Sequence, residues 1–200
     1  MEILGIVASP RKESNTEILV KEALKEASNL GAKTRLWKAA GKKIEGCTSC
    51  FACIPSGVCP IDDDMKELYP LLKQADGIIF GSPVYFWNVT AQAKAIIDRT
   101  FCLWITKDLQ RKVGGSIACT WTRGTTTALQ AINTFFSIQG MYTGGSFDVT
   151  ASGYCKTVAP GTLVTTGLEA DGKTPHNDPW AQSRECAREV VYLIKKLKGQ

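Results

Sequence analysis

Histidine is nearly absent from this sequence: among 200 residues His176 is the one imidazole, inside the polar stretch Lys173 to Asp178. A hydrolase triad built on a histidine base is thereby disfavoured. Long apolar runs are missing too. None reaches the roughly 18 residues that a membrane helix needs, so no membrane association is expected. The short apolar start, Met1 to Ala8, has no basic segment before it and reads as a strand, not an export signal, which points to a cytoplasmic protein. In that compartment the Asn88-Val89-Thr90 sequon carries no meaning. The charge balance is modest. The formal charge is +5, there is no Lys/Arg block, and basic and aromatic residues do not interleave, so no nucleic-acid partner is expected. No internal repeat is visible.

What is present is concentrated in one stretch. Half of the eight cysteines fall between Cys47 and Cys59, spaced C-x2-C-x2-C-x5-C and followed by Pro60. Thiolates at two-residue gaps can point inward around one small inorganic core. Bacterial ferredoxins use the run C-x2-C-x2-C-x3-C-P in this way for iron–sulfur clusters. Here the last gap is two residues longer, and Gly57 and Pro55 allow the longer arc to bend back, so Cys59 can close the same site. Three other readings stay open: a zinc site, whose two C-x2-C knuckles usually lie further apart; disulfides, which an oxidising compartment would favour; and reduced thiols with no metal. Cys102, Cys119, Cys155 and Cys186 have no metal-like spacing and read as small buried hydrophobes.

Along the chain, apolar strands alternate with helical patterns. Residues 2–8, 33–39, 76–81, 113–120 and 142–149 read as strands. Helices are predicted over about 17–29, from Asp62-Asp63-Asp64 to 75, over 90–104 and 125–139, and from Asp178-Pro179 to the C-terminal lysines. Leu19, Ala23, Leu24, Ala27 and Leu30 recur at helical spacing, Ser14 and Glu17 form a capping box, and Gly31 stands where the first helix should end. The three aspartates suit a helix start better than a metal site. With 44% hydrophobic residues, the chain fits one domain over 1–200, carrying a cysteine-rich loop at 44–61 and a long loop at 151–177. The expected fold is α/β and flavodoxin-like: a doubly wound five-stranded parallel sheet, order 2-1-3-4-5.

In such a sheet, ligands bind at the carboxyl ends of the strands beside the switch point between the first and third. The loop after the first strand, with Ser9, Arg11, Ser14, Asn15 and Thr16, opens onto a helix N-terminus and suits a phosphate. It carries neither G-x-x-x-x-G-K-[ST] nor G-x-G-x-x-G, so a mononucleotide is favoured. The loop after the third strand offers Pro83, the amides of Val84 to Phe86, and the rings of Tyr85 and Trp87 to a flat aromatic ligand. Thr120, Trp121, Thr122, Arg123 and Gly124 form a third loop on the same rim. Two other readings stay open: Ser14 as an N-cap only, and the aromatic triplet as core packing.

These residues resemble a known family. Ser9-Pro10-Arg11 with Ser14-Asn15-Thr16, then Gly81-Ser82-Pro83-Val84-Tyr85-Phe86 with Lys94 and Asp98-Arg99, are similar to the NADPH-dependent FMN reductase branch of the flavodoxin-like fold. The run Cys47 to Cys59 followed by Asp62-Asp63-Asp64-Met65 resembles its iron–sulfur flavoproteins. The likeness spans about residues 2–150, with Thr125 where relatives often carry a second glycine. It implies FMN on the three loops, a [4Fe–4S] cluster on Cys47, Cys50, Cys53 and Cys59, and assembly into homodimers or homotetramers.

The expected activity is electron transfer between a one-electron carrier such as ferredoxin and an acceptor. The alternatives are an NAD(P)H-dependent FMN or quinone reductase without a cluster, and a non-catalytic module that binds zinc or FMN. Ile96, Ile97, Phe101, Trp104 and Ile105 present an apolar surface that a second subunit would cover. Arg11, Lys12, Lys38, Lys42 and Lys43 lie near the predicted rim and either steer an acidic carrier or keep the loop soluble.

Overall fold

A computed structural model describes residues 1–121, 123–150 and 178–199. The sheet has five parallel strands in the order β2-β1-β3-β4-β5: β1 Glu2–Val7, β2 Lys33–Lys38, β3 Gly77–Pro83, β4 Val113–Thr120 and β5 Tyr142–Thr150. The register pairs Gly5 with Leu36 and with Ile79, and Phe80 with Ser116. The central strands are buried on both faces, as their continuous apolar runs require. Alternate residues feed two separate cores. Leu4, Ile6, Ile78 and Phe80 pack beneath α2 (Met65–Gln74), α3 (Ala91–Arg99), α4 (Phe101–Thr106) and α5 (Thr125–Ile138). Ile3, Val7, Ile79, Val113 and Ile117 pack beneath α1 (Asn15–Asn29) and α6 (Pro179–Leu197). Each fully buried Ile or Phe contributes about 1.5–3 kcal/mol, and this sum rests on the sheet and helices, with only Ile44, Cys53 and Cys59 of the cysteine loop touching it.

The helix predicted over 90–104 is two helices. Thr100 interrupts it: its carbonyl and hydroxyl oxygens both accept from Gln139 Nε2, at 3.1 and 3.0 Å, and its own hydroxyl donates to Ile97 O. A side chain that captures backbone groups in this way bends or ends a helix. The chain resumes as α4 and ends at Lys107 in left-handed backbone.

The capping box is half formed. Ser14 Oγ accepts from Glu17 N at 3.2 Å, but the Glu17 carboxylate turns to Lys21 (2.7 Å) and Lys38 (3.1 Å) instead of back to the cap. At the last helix Asp178 caps Trp180 N and Pro179 takes the first turn, as predicted. Residues 151–177 lie outside the described residues. No described helix is long and apolar enough to cross a membrane.

Candidate functional site

Because all the strands run parallel, the loops after β1, β2, β3 and β4 leave the same edge of the sheet. The first loop ends in the cap of α1. Ser9 Oγ accepts from Arg11 N, Glu13 sits in left-handed backbone, and Ser14 caps the helix. Arg11 is exposed, and Asn15 is half-buried at the helix start. Thr16 is 1% exposed, and its hydroxyl has no partner among the described residues. A buried hydroxyl left unsatisfied costs about 1–3 kcal/mol. At a helix N-terminus, where amides also point outward, that hydroxyl fits a phosphate oxygen.

The second loop is a tight reverse turn. Tyr85 N donates to Asn88 O (2.8 Å) and Asn88 N to Tyr85 O (3.1 Å), with Phe86 and Trp87 at φ 44° and 65°. Two positive-φ central residues define the primed hairpin turn that usually takes Asn-Gly. Here it carries two bulky rings, each strained by about 1–2 kcal/mol, and it holds Phe86 99% exposed. Backbone strain of this kind concentrates at functional sites. One expectation is corrected: the Val84 amide is committed to Cys119 O, because β3–β4 pairing continues past Pro83, and the Tyr85 amide is committed to Asn88 O within the turn itself. Tyr85 and Trp87 are exposed as expected, and Phe86 more so than either.

In the third loop Thr120 Oγ1 donates to Arg123 O (2.8 Å), and Trp121 is about half exposed. Gly124 has φ +95°, and a Cβ there would lie 3.0 Å from Val84 Cγ1 and 3.1 Å from Trp87 Cα. The third loop therefore seats directly against the second, and glycine permits it. Thr122 lies outside the described residues. Thr90 joins the second loop to the first: its hydroxyl donates to Ala8 O (2.6 Å) and accepts from Ala93 N (3.0 Å). Sequence reading assigned Thr90 no role beyond a helix start, although a Thr before an apolar helix signals a cap.

The cysteine loop has no regular secondary structure before the turns at 52–56. Ile54 N donates to Phe51 O and Gly57 N to Cys53 O (2.7 Å), while Gly57 takes φ +67° so that the arc bends back as predicted. Cys47, Cys50, Cys53 and Cys59 line one cavity of about 320 Å³, walled by Phe51, Pro60, Ile61, Asp98 and Phe101. The Cys50 thiol is held below the ordinary value by the Ala52 amide and the Thr48 side chain. Burial pushes Cys53 up, and the neighbouring Cys59, Cys50 and Cys47 push it further. The four thiols thus share one cavity, and Cys53 is the one buried among them. Among the described residues no group of three or more His, Cys, Asp or Glu side chains is drawn together closely enough to hold a metal ion, the four cysteines included.

The stems of this loop are fixed by residues that the sequence had placed only at a helix start. Asp63 Oδ2 accepts from Glu45 N (2.8 Å), and Asp64 Oδ2 accepts from Lys43 N (2.7 Å). Asp63 also forms a bidentate pair with Arg99, Nη1 to Oδ2 at 2.6 Å and Nη2 to Oδ1 at 3.1 Å, with both side chains 0% exposed. Burial raises the Asp63 carboxyl, but hydrogen bonds from Arg99, Glu45 N and Met65 N outweigh it and leave it below the usual carboxylate value. The signal was present: Arg99 follows Ala93 and Ile96 on the buried stripe of α3, where a charge needs a buried partner.

Three of the basic residues near this rim are paired, Lys38 with Glu17, Lys42 with Glu67 (2.6 Å) and Lys43 with Glu45 (3.4 Å), while Arg11 and Lys12 are exposed on the first loop. A groove of about 690 Å³ between α3–α4 and α5 joins the two halves of the site. It runs from Asn88 past Ile97, Trp104 and Phe135 to Asp98 and Phe101, which also wall the thiol cavity. Of the apolar positions predicted to meet a second subunit, Ile96 is fully buried in the core, while Trp104 is exposed and stacks on Phe101. Gly167 to Thr174 has the G-x-x-x-x-G-K-T spacing of a phosphate loop; it lies outside the described residues.

The family model for NADPH-dependent FMN reductase matches residues 1–154. The chain belongs to that family. It is 44% identical to an iron–sulfur flavoprotein of Methanocaldococcus jannaschii over 99% of this chain and all of the relative. It is 41% identical to one of Archaeoglobus fulgidus over 98% and 99%. Among solved structures, RosB with bound 8-demethyl-8-formylriboflavin-5′-phosphate superposes with a TM-score of 0.76. That match covers all of this chain and 81% of RosB at 16% identity, a likeness of fold. This member of the FMN reductase family is a flavin-dependent oxidoreductase.

Proposed function

We propose that this reductase-family chain carries FMN and a [4Fe–4S] cluster and passes electrons between a one-electron carrier, such as ferredoxin, and an acceptor. The observation that carries the reading is the placement of four thiols around one cavity on the same sheet edge as the unpartnered Thr16 hydroxyl. In this reading Ser9, Arg11, Ser14, Asn15 and Thr16 hold the FMN phosphate. The 83–87 turn and the Thr120–Gly124 loop face the ring system, and Cys47, Cys50, Cys53 and Cys59 ligate the cluster. Bound together, a cluster supplies single-electron steps and a flavin one- or two-electron steps. The chain's contribution is to hold the two on one edge, to keep the Cys53 side buried, and to close the stems of the loop on α3.

The groove past Trp104 is the surface on which a second copy would seat, giving a homodimer or homotetramer; it begins at the flavin loop and ends at the thiol cavity. A second reading, a nicotinamide-dependent FMN reductase with an empty cysteine loop, is favoured by the family description. Anaerobic reduction separates the two. Reduced ferredoxin should reduce the flavin at least tenfold faster than NADPH does, and the advantage should vanish in Cys50→Ala. Faster reduction by NADPH, unchanged in Cys50→Ala, would replace the first reading with the second.

A further inference from the structure

The Asp63–Arg99 pair is more elaborate than fold stability requires. Breaking such a pair leaves a buried charge, yet replacing both partners by apolar side chains is often neutral or stabilising. Its geometry shows what else it does. Arg99 Nη1 also donates to Glu45 O at 3.0 Å and Nη2 to Ile61 O at 3.4 Å, while Asp63 accepts from Glu45 N and Met65 N. Glu45 and Ile61 are the two stems of the cysteine loop. One buried ion pair therefore grips both ends of the segment that carries all four thiols. The Arg99 carbonyl also accepts from Tyr69 Oη (3.2 Å) and Cys102 Sγ, which ties the grip to α2 and α4.

We propose that Asp63 and Arg99 are positioning residues for the cysteine loop, closing its stems so that Cys47, Cys50, Cys53 and Cys59 face one cavity before iron arrives. The inference rests on the cluster reading for its purpose but not for its geometry. A planar guanidinium fork can serve a carboxylate and two carbonyls at once; a lysine ammonium is a point charge and cannot reproduce the fork.

The test uses the full-length protein in three forms: wild type, the double variant Asp63→Leu/Arg99→Met, and Arg99→Lys. In iron-free protein, maleimide labelling is followed at Cys53, which the loop buries, and at Cys186, which lies in the opposite core. Reconstituted protein is then challenged with a ferrous chelator. The double variant should keep its flavin and its melting midpoint within a few degrees. Cys53 should label at least tenfold faster while Cys186 stays protected, and iron should leave at least tenfold faster. Arg99→Lys should fall between the two. Wild-type labelling and iron retention in the double variant would overturn the proposal. If that variant fails to fold, Arg99→Lys decides by the same readouts. If the wild type takes up no iron, the cluster reading falls and the Cys53 labelling alone judges the grip.

Discussion

The loops after β2 and β3 leave the same edge of one sheet and are held there by different means. The flavin-side turn is an extension of the sheet. Val84 N bonds Cys119 O, Thr90 reaches Ala8 O, and Gly124 seats the next loop against Val84 and Trp87. The cysteine loop runs outside the sheet, exposed along most of its length. It is anchored by Asp63, Asp64 and Arg99 at its stems and by Cys53 packing inward. The difference teaches that one site is built by the fold itself, and the other by the grips at its stems and the inward packing of Cys53. Damage to the second should therefore leave the first intact.

The sharpest break in that comparison is at the thiols. Cys50→Ala or Cys53→Ala should lower bound iron to under a tenth of wild type, while FMN stays within about twofold and the far-ultraviolet spectrum is unchanged. Iron retention in both variants would show that these thiols are not ligands.

Next in size is the loss of one partner of the buried pair. Asp63→Asn should cost about 3–5 kcal/mol in denaturant unfolding. The sign of its pH dependence follows from the lowered Asp63 carboxyl. The stabilisation is present above the ordinary carboxylate value and is lost as pH falls through the depressed folded value. Asp63→Asn should thus unfold with a shallower acid dependence than wild type, read by chemical denaturation between about pH 6 and pH 3.

On the flavin side the effects are smaller. Ser14→Ala with Thr16→Ala should weaken FMN by about 1–3 kcal/mol if two hydrogen bonds to phosphate are lost. Riboflavin, which lacks the phosphate, should bind as before. Equal loss for both ligands would mean that these residues serve only the helix cap. The smallest effect separates backbone strain from loop contact. Gly41 and Gly124 both have positive φ, but a Cβ at Gly41 meets nothing within 4 Å. Each change to Ala should cost about 1 kcal/mol of stability. Gly124→Ala alone should also weaken FMN, by about threefold to tenfold in a fluorescence titration.

Most of the sheet was legible because parallel strands buried on both faces read as continuous apolar runs. The strand order followed from the alternation of elements, and the helix ends at Asp178-Pro179 and Gly31 followed from cap chemistry. The break at Thr100 was not legible. It depends on Gln139, which is distant in sequence and reaches it only in the folded chain. The same holds for Glu17, whose carboxylate leaves the cap for Lys38 at the end of β2.

In the site, the thiol spacing picked out the four cysteines that line one cavity, and the hydroxyl-rich first loop picked out the buried Thr16 at the helix start. The strained Phe86–Trp87 turn was hidden, because its two central positions carry neither the Asn nor the Gly that such turns use. Lys42 and Lys43 read as free charge because their partners, Glu67 and Glu45, are identified only by folding.

The central claim is that one chain holds both redox groups. Iron, acid-labile sulfide, zinc and flavin measured on a single anaerobic preparation test it directly. The account predicts about four iron and four sulfide per FMN, no stoichiometric zinc, and a broad visible shoulder beside the flavin bands. Full FMN without iron or sulfide, in protein never exposed to oxygen, would contradict it.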